Sequence, residues 1–247
     1  MDKSSTIMIL GSCFADEIGR KLIASGLDVC LNPFGTLFNP ASILSSISRM
    51  QSGTPFTAEE CVEMGANAGK ICSFSHHTSF ARIERKDFLD NANKRLAESA
   101  AYWHKCSTVI ISLGTAWVWK HLPEEKIVSN CLKRPGYEFS HELLPLGEVQ
   151  TILENIIASA PGKEFIFTVS PIRHLWNGAH SNQISKATLL LAIDSLQARH
   201  PEVRYFPAYE TVLDDLRDYR WFAQDKVHPS PEAVDKIWEA FQLWAGL

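Results

Sequence analysis

Short apolar runs alternate with longer amphipathic stretches along the whole chain. Each apolar run has the length of a strand buried on both faces, and together they cover residues 6–10, 27–31, 109–113, 165–169 and 203–206. The amphipathic stretches place apolar residues at helical spacing, at 15–25, 40–50, 87–104, 146–159, 183–199 and from 231 onward. Asn39-Pro40 and Ser230-Pro231 predict the starts of two of these helices.

This alternation predicts the class of fold. A strand followed by a helix and another strand forms a right-handed crossover, and repeated crossovers give a parallel sheet with helices on both faces. We therefore predict an α/β protein, a three-layer α/β/α sandwich with about five parallel strands. The stretches at about 52–86 and 120–146 are polar and irregular, so we interpret them as insertions in a single domain spanning 1–247.

Composition excludes several classes of protein. The 247 residues are 45% hydrophobic and 21% charged, which fits disorder, collagen and coiled coil poorly. The net charge of −4 gives no electrostatic footprint for nucleic acid or an anionic membrane surface. No apolar segment is long enough to cross a bilayer, and the N-terminus lacks the basic head of a secretory signal, so we expect a cytoplasmic location.

The cysteines and histidines indicate neither a metal nor a cofactor. The six cysteines are scattered without a Cys-x-x-Cys pair, and we interpret most of them as small buried hydrophobes. His76-His77 has no third ligand at metal spacing, and Gly11-Ser12-Cys13 lacks the glycine spacing that cradles phosphates. We predict no metal, no cofactor and a small-molecule substrate; the oligomeric state is not indicated.

Residues that directly follow the strands are the candidates for chemistry, because ligands of open parallel sheets bind at the carboxyl ends of the strands. After the first predicted strand, Gly11-Ser12-Cys13 places a hydroxyl and a thiol on a tight turn that opens a helix. Free N–H groups at a helix start can stabilise an oxyanion, which favours a nucleophile here. The alternative is that Ser12 only caps the helix.

The last predicted helix is preceded by Asp225 and His228, at the spacing Asp-x-x-His. In a turn, this spacing lets the carboxylate accept the Nδ1–H of the imidazole and leaves Nε2 free as a general base. Because the pair follows the last strand, we expect it at the same sheet edge as Ser12. The alternative is a charged surface stretch without a catalytic role.

The other strand ends supply further candidates. Gly35 follows the second strand and can bring a backbone N–H close to a substrate oxygen, although an ordinary turn glycine is the alternative. Asn32, Arg173 and His174 are candidate substrate-binding residues, with a surface loop as the alternative for the latter two. Four indoles predict either a sugar-stacking wall or ordinary packing: Trp117, Trp119, Trp176 and Trp221.

The pentapeptide Gly-Ser-Cys-Phe-Ala at 11–15 resembles the motif of the GSCFA-domain family, a group of bacterial proteins that is similar to the SGNH (GDSL-like) hydrolases. Supporting matches lie at 32–35, 112–116, 168–171 and 225–228. The resemblance implies a flavodoxin-like fold and a site that cleaves esters or transfers acyl groups. By the same resemblance Ser12 is the nucleophile, His228 the general base and Asp225 its orienting carboxylate.

The resemblance also implies an oxyanion hole formed by the backbone N–H groups of Ser12 and Gly35. One position departs from the pattern: SGNH hydrolases usually carry an asparagine donor where this chain has Ala116. Loss of such a donor typically lowers the rate by ~10²–10³. Thr115, Arg173 and His174 are the candidates to replace it.

Three functional hypotheses follow. The first is a serine hydrolase or acyltransferase that acts on an O-acyl ester, a carbohydrate O-acetyl group by analogy, through an acyl-Ser12 intermediate with Cys13 packed beneath the turn. The second is a non-catalytic domain that binds a glycan or a partner protein. The third is a cysteine hydrolase that uses Cys13, because a thiol is intrinsically the better nucleophile once ionised.

Overall fold

The computed structural model describes residue 1 and residues 4–66 and 69–247. The strands are, in chain order, β1 (Thr6–Gly11), β2 (Asp28–Leu31), β3 (Val62–Glu63), β4 (Ile71–Cys72), β5 (Thr108–Leu113), β6 (Trp117–His121), β7 (Lys126–Val128), β8 (Phe139–Leu143), β9 (Glu164–Val169) and β10 (Val203–Tyr205). The helices are α1 (Cys13–Ala24), α2 (Pro40–Ser52), α3 (Arg85–Lys105), α4 (Leu146–Ala158), α5 (Gly178–Gln197), the single turn α6 (Ala208–Glu210) and α7 (Pro231–Ala245).

The central sheet has five strands in the spatial order β10-β9-β5-β1-β2, and all of its pairs are parallel. Numbered along the chain, these strands lie in the order 2-1-3-4-5, which is the flavodoxin-like arrangement. The predicted α/β sandwich is confirmed. The strand order reverses between β1 and β5, and a ligand crevice is expected at the carboxyl ends of the strands at this point.

Alternate residues of each central strand contribute to two hydrophobic cores, one on each face of the sheet. Ile7 and Ile9 pack in the core beneath α1 and α7, whereas Met8 and Leu10 belong to the larger core beneath α2 to α5. All four side chains are at most 4% exposed. Burial on both faces explains why these strands are continuous apolar runs in the sequence.

Two helix starts follow from their capping residues. The Asn39 side chain accepts a hydrogen bond from the Ser42 N–H, and the Ser230 hydroxyl accepts one from the Ala233 N–H. Proline follows both caps, as the sequence predicts. Among the described residues, no helix combines the length and the apolar character needed to span a membrane.

The two predicted insertions contain more regular structure than the sequence indicates. Within residues 117–143, β6, β7 and β8 form an antiparallel sheet in the order β7-β6-β8. These strands mix aromatic, basic and acidic side chains, and intervening prolines hide their period-two pattern. Within residues 52–86, β3 and β4 form a two-stranded antiparallel pair. Asn67 and Ala68 of this insertion lie outside the described residues.

Candidate active site

The chain turns sharply at Gly11, between β1 and α1. Gly11 has a φ of +148°, and a Cβ atom there would lie 2.3 Å from the carbonyl oxygen of Ser112 on β5. The Gly11 N–H donates to Oδ1 of Asn32 over 2.8 Å, and its carbonyl accepts the N–H of Leu37 over 3.1 Å. The turn is therefore fixed against both neighbouring strands, and only glycine fits there.

Ser12 points into the sheet and not into the crevice. It is 2% exposed, its N–H donates to the carbonyl of Ser112, and the two serine Oγ atoms lie 3.0 Å apart. Ser12 occupies the N-cap position of α1, but its hydroxyl makes no capping hydrogen bond. The interpretation that Ser12 faces the crevice is therefore wrong, because the tight turn at Gly11 directs residue 12 toward β5.

Cys13, the first residue of α1, occupies the position that we predicted for Ser12. It is exposed and lines a cavity of about 360 Å³ together with Ile172 and His228. The prediction that Cys13 packs beneath the turn is therefore wrong. Although the residue is exposed, partial burial of the sulfur raises the pKa of the thiol, and the Asp16 carboxylate raises it further. The resting side chain is therefore a protonated thiol.

Asp225 and His228 form the predicted contact. Oδ2 of Asp225 lies 2.7 Å from Nδ1 of His228, and Oδ1 accepts the backbone N–H groups of His228 and Val227. These hydrogen bonds, that of the His228 side chain first, lower the pKa of Asp225 from 3.8 to about 2. The carboxylate is therefore ionised at neutral pH, and Nε2 of His228 is left free to accept a proton.

The thiol of Cys13 and the imidazole of His228 line the same cavity without touching. No hydrogen bond joins them in the part of the chain that the structure describes, and the His228 side chain is 47% exposed. Catalytic hydrogen bonds are often long in resting enzymes and shorten in the substrate complex. The arrangement brings a thiol, an imidazole and a carboxylate together at one cavity.

Asn32 holds the site together and does not face a substrate. It is 7% exposed, with a left-handed φ of +39°. Its Oδ1 accepts the Gly11 N–H, and its Nδ2 donates to Oδ1 of Asp16 over 2.7 Å. Because the side chain is buried and both amide atoms bond within the protein, the structure does not support the prediction that Asn32 binds substrate. The residue ties the end of β2 to the Gly11 turn and to α1.

The predicted oxyanion donors are engaged elsewhere. The Gly35 N–H donates to the Asn32 carbonyl over 2.8 Å, and the Ser12 N–H donates to the Ser112 carbonyl on β5 over 3.1 Å. Thr115 is 4% exposed, and its hydroxyl lies 2.8 Å from Oγ of Ser185. By contrast, the backbone N–H of Cys13 has no acceptor in another residue within the described ranges. The Thr36 hydroxyl lies near the Cys13 sulfur and donates to Oδ2 of Asp16 over 3.5 Å.

A second cavity, of about 400 Å³, adjoins the first; we call it the aromatic cavity. Its rings come from Phe38, Trp117, Trp119, His141, His174 and Trp176. Arg173 also lines it and donates from Nη1 to the carbonyl of Lys226 over 2.9 Å. The candidates Arg173 and His174 therefore lie in this cavity. Of the four indoles singled out in the sequence, Trp221 is not part of its lining.

His174 is held neutral in the wall of the aromatic cavity. Burial, with smaller contributions from the charges of Lys186 and His228, lowers the pKa of His174 to about 3. Its ring packs on Phe38 with centroids 5.0 Å apart, and Nε2 is buried without a hydrogen-bond partner in the described part of the protein. A neutral imidazole does not supply a positive charge to an oxyanion.

Sequence reasoning missed Lys186, which is 1% exposed beneath the carboxyl ends of β5 and β9. Its Nζ donates to the carbonyls of Gly114 and Ser170, both over 2.6 Å. Burial lowers the pKa of Lys186 from 10.5 to about 7. A lysine at an ordinary position of an amphipathic helix gave no signal that it would be buried.

His76, the first histidine of the pair in the first insertion, is part of the hydrophobic core. His76 is buried among the rings of Phe34, Phe56 and Phe80, and its Nδ1 lies 2.6 Å from Oγ of Ser73. Burial lowers the pKa of His76 to about 3. Among the described residues, no group of three or more His, Cys, Asp or Glu side chains is arranged to hold a metal ion.

The fold and the site together define an α/β protein with a thiol, an imidazole and a carboxylate at the carboxyl edge of a flavodoxin-like sheet. The chain belongs to the GSCFA family, which matches residues 6–241. No curated protein matches it. Among solved structures it is similar to a family 3 carbohydrate esterase from Clostridium thermocellum, with 11% identity and a TM-score of 0.46 over 97% of this chain and 94% of that one.

Proposed function

We propose that the chain is an acyl hydrolase or acyltransferase that acts on an O-acyl ester through Cys13. One observation carries the proposal: the exposed thiol of Cys13 shares a cavity with His228, whose Nδ1 is held by Asp225. A nucleophile, a base and a group that orients the base are the parts of a nucleophilic triad. The proposal keeps Asp225 and His228 from the sequence-based hypothesis and replaces Ser12 by its neighbour.

In the first half of the reaction, the Cys13 sulfur attacks the carbonyl carbon of the ester. Nε2 of His228 takes the thiol proton as the S–C bond forms, and the carbonyl electron pair moves to oxygen. A base is needed because the pKa of this thiol is raised above its usual value. Asp225 keeps the proton on Nδ1 and stabilises the imidazolium that results.

The oxyanion is stabilised by groups at the start of α1. The Cys13 N–H lies at the amino end of the helix, where unpaired N–H groups and the helix dipole favour negative charge. The Thr36 hydroxyl near Cys13 becomes a second donor when it turns away from Oδ2 of Asp16, to which it donates in the resting protein. These groups take the place of the donors expected at Gly35 and Thr115.

In the second half, the C–O bond of the ester breaks and the His228 imidazolium protonates the departing alkoxide, leaving the acyl group as a thioester on Cys13. Water or a second alcohol then attacks the thioester carbonyl while His228 takes its proton. The thiolate leaves, the acid or the new ester is released, and the proton returns to sulfur. Water as the attacking group gives hydrolysis, and an alcohol gives acyl transfer.

Substitution of the two adjacent candidates tests the assignment. We expect Cys13→Ala to abolish turnover of p-nitrophenyl acetate, and Cys61→Ala, at a partly buried cysteine away from the site, to leave it unchanged. Ser12→Ala should reduce turnover only in proportion to any loss of stability, measured by thermal unfolding. Full turnover in Cys13→Ala, with loss in a folded Ser12→Ala protein, would contradict the assignment.

The raised pKa of the thiol and Ala116 at the usual asparagine position favour a second candidate, a non-catalytic domain that binds a ligand through the same crevice. Turnover and acylation of the wild-type protein distinguish the two functions. If the wild-type protein neither turns over the ester nor accepts an acyl group on Cys13 from it, the binding domain is the correct account.

A further inference from the structure

The aromatic cavity lies directly beside the proposed catalytic pair. Ile172 and His228 line the first cavity, and the residues next to them in the chain, Arg173 and Val227, line the aromatic cavity. The Arg173 N–H donates to the Val227 carbonyl over 3.1 Å, so the two segments form one shared wall. The segments 172–173 and 227–228 therefore border both cavities, which places the aromatic cavity next to the side of the site where the alcohol part of an ester would leave.

We propose that the aromatic cavity is a carbohydrate-binding site that holds the sugar whose hydroxyl carries the acyl group. The sugar's role as the alcohol part of the substrate rests on the proposed function, whereas its binding does not. The cavity volume of about 400 Å³ falls within the range of small-molecule sites.

The floor of the cavity is a rigid aromatic platform. Trp119 and His141 are opposite each other on the antiparallel strands β6 and β8, and their rings stack with centroids 4.1 Å apart at 15°. Trp117 extends the platform, with its ring centroid 4.8 Å from that of His141. Strand pairing holds these rings as an ordered apolar wall, in which the Trp119 face stacked on His141 is covered and the remaining ring surface is open to a ligand.

Trp176 forms the opposite rim. Its side chain is 81% exposed and meets Trp119 edge to face with centroids 6.2 Å apart. Folding leaves most of this indole in water, so a ligand in the cavity would cover apolar surface that is otherwise exposed. A sugar ring stacked on the exposed face of Trp176 would bury apolar surface of that indole.

The polar groups of the cavity distinguish a sugar from an aromatic acyl group. Asn39, Ser129 and Asn177 line it, and their Nδ2, Oγ and Oδ1 atoms have no hydrogen-bond partner among the described residues. An aromatic ligand would cover these groups without replacing their bonds to water, which is costly. Sugar hydroxyls supply donors and acceptors around a ring edge. The lining has no carboxylate and contains Arg173, so it offers no ion pair to a cationic ligand.

The test measures binding without turnover, in the Cys13→Ala protein. Calorimetric titrations with cellohexaose, xylohexaose, mannohexaose and chitohexaose are compared with one using methyl ferulate, an aromatic ester. We expect at least one oligosaccharide to bind, and its affinity to fall about tenfold or more in Trp176→Ala and in Trp119→Phe. Tyr137→Ala is the matched control, since Tyr137 is 82% exposed and lies outside the cavity.

The proposal is overturned if none of the four oligosaccharides binds, if methyl ferulate alone binds, or if Trp176→Ala and Trp119→Phe leave the affinity unchanged. Trp176→Ala is the decisive variant, because loss of an exposed indole does not threaten the fold. Oligosaccharide binding combined with an unreactive Cys13 would reject the proposed function and keep the carbohydrate site. Acylation of Cys13 without oligosaccharide binding would keep the proposed function and reject the carbohydrate site.

Discussion

Lys186 makes the stability of the protein depend on pH in a defined way. The amine is fully buried and is hydrogen-bonded to the carbonyls of Gly114 and Ser170. A neutral amine has two N–H donors, which satisfy these two carbonyls. The charged form has a third N–H. Within the described structure, the ring of Tyr209, with its centroid 5.6 Å from Nζ, is the only further group that it can contact. The fold therefore favours the neutral form.

The size of the effect follows from the shift in pKa. Burial lowers the pKa of Lys186 from 10.5 to about 7 in the folded protein. Each unit is worth about 1.4 kcal/mol, so the charged form costs about 5 kcal/mol of folding free energy below pH 7. Between pH 7 and pH 10.5, Lys186 is protonated in the unfolded chain and neutral in the folded protein, so the unfolding free energy rises with pH. From pH 7 to pH 9 the rise should be about 2 kcal/mol.

Urea denaturation of the wild type and of Lys186→Met at pH 6, 7, 8 and 9 isolates this contribution, because every other titrating group is common to both proteins. We expect the difference in unfolding free energy, wild type minus variant, to rise by about 2 kcal/mol from pH 7 to pH 9 and to flatten below pH 7. A difference that is independent of pH would refute the reasoning, because Lys186 would then keep its proton state on folding.

Three further predictions concern the site. Gly11→Ala should prevent stable folding, measured by thermal unfolding, because its Cβ would lie 2.3 Å from the Ser112 carbonyl oxygen. Asn32→Ala should lower the unfolding free energy by about 1–3 kcal/mol by leaving the Gly11 N–H and an Asp16 oxygen unpaired; an unchanged value in urea would contradict this role. Asp225→Asn should lower kcat by about 10⁴ without unfolding the protein, because the amide no longer fixes the His228 tautomer; a loss below about tenfold would remove Asp225 from the mechanism.

The sequence was sufficient for the central sheet because its strands are buried on both faces. Ile7 to Leu10 and Val109 to Leu113 are nearly continuous apolar runs, and each forms a strand close to the predicted bounds. The strands β6 and β8 were missed because one face carries Trp119 and His141 while the chain between them is rich in turn residues. An aromatic platform that serves a cavity does not follow the pattern of a core.

The site could be predicted as a region but not at the level of single side chains. The Asp-x-x-His spacing gave the contact between Asp225 and His228, because that geometry is local. The choice between Ser12 and Cys13 depends on which way one turn faces, and the contact of Ser12 with Ser112 spans 100 residues of sequence. Long-range contacts of this kind leave no local pattern.

The central claim, that Cys13 carries the acyl group, is tested most directly by locating that group on the protein. Wild-type protein is mixed with p-nitrophenyl acetate, quenched in acid within the first turnovers, digested and mapped by mass spectrometry. The account predicts an acetyl group on the peptide containing Cys13, removed by neutral hydroxylamine as a thioester is, and absent from Cys13→Ala. An acetyl group on Ser12, or turnover with no modification at Cys13, would contradict it.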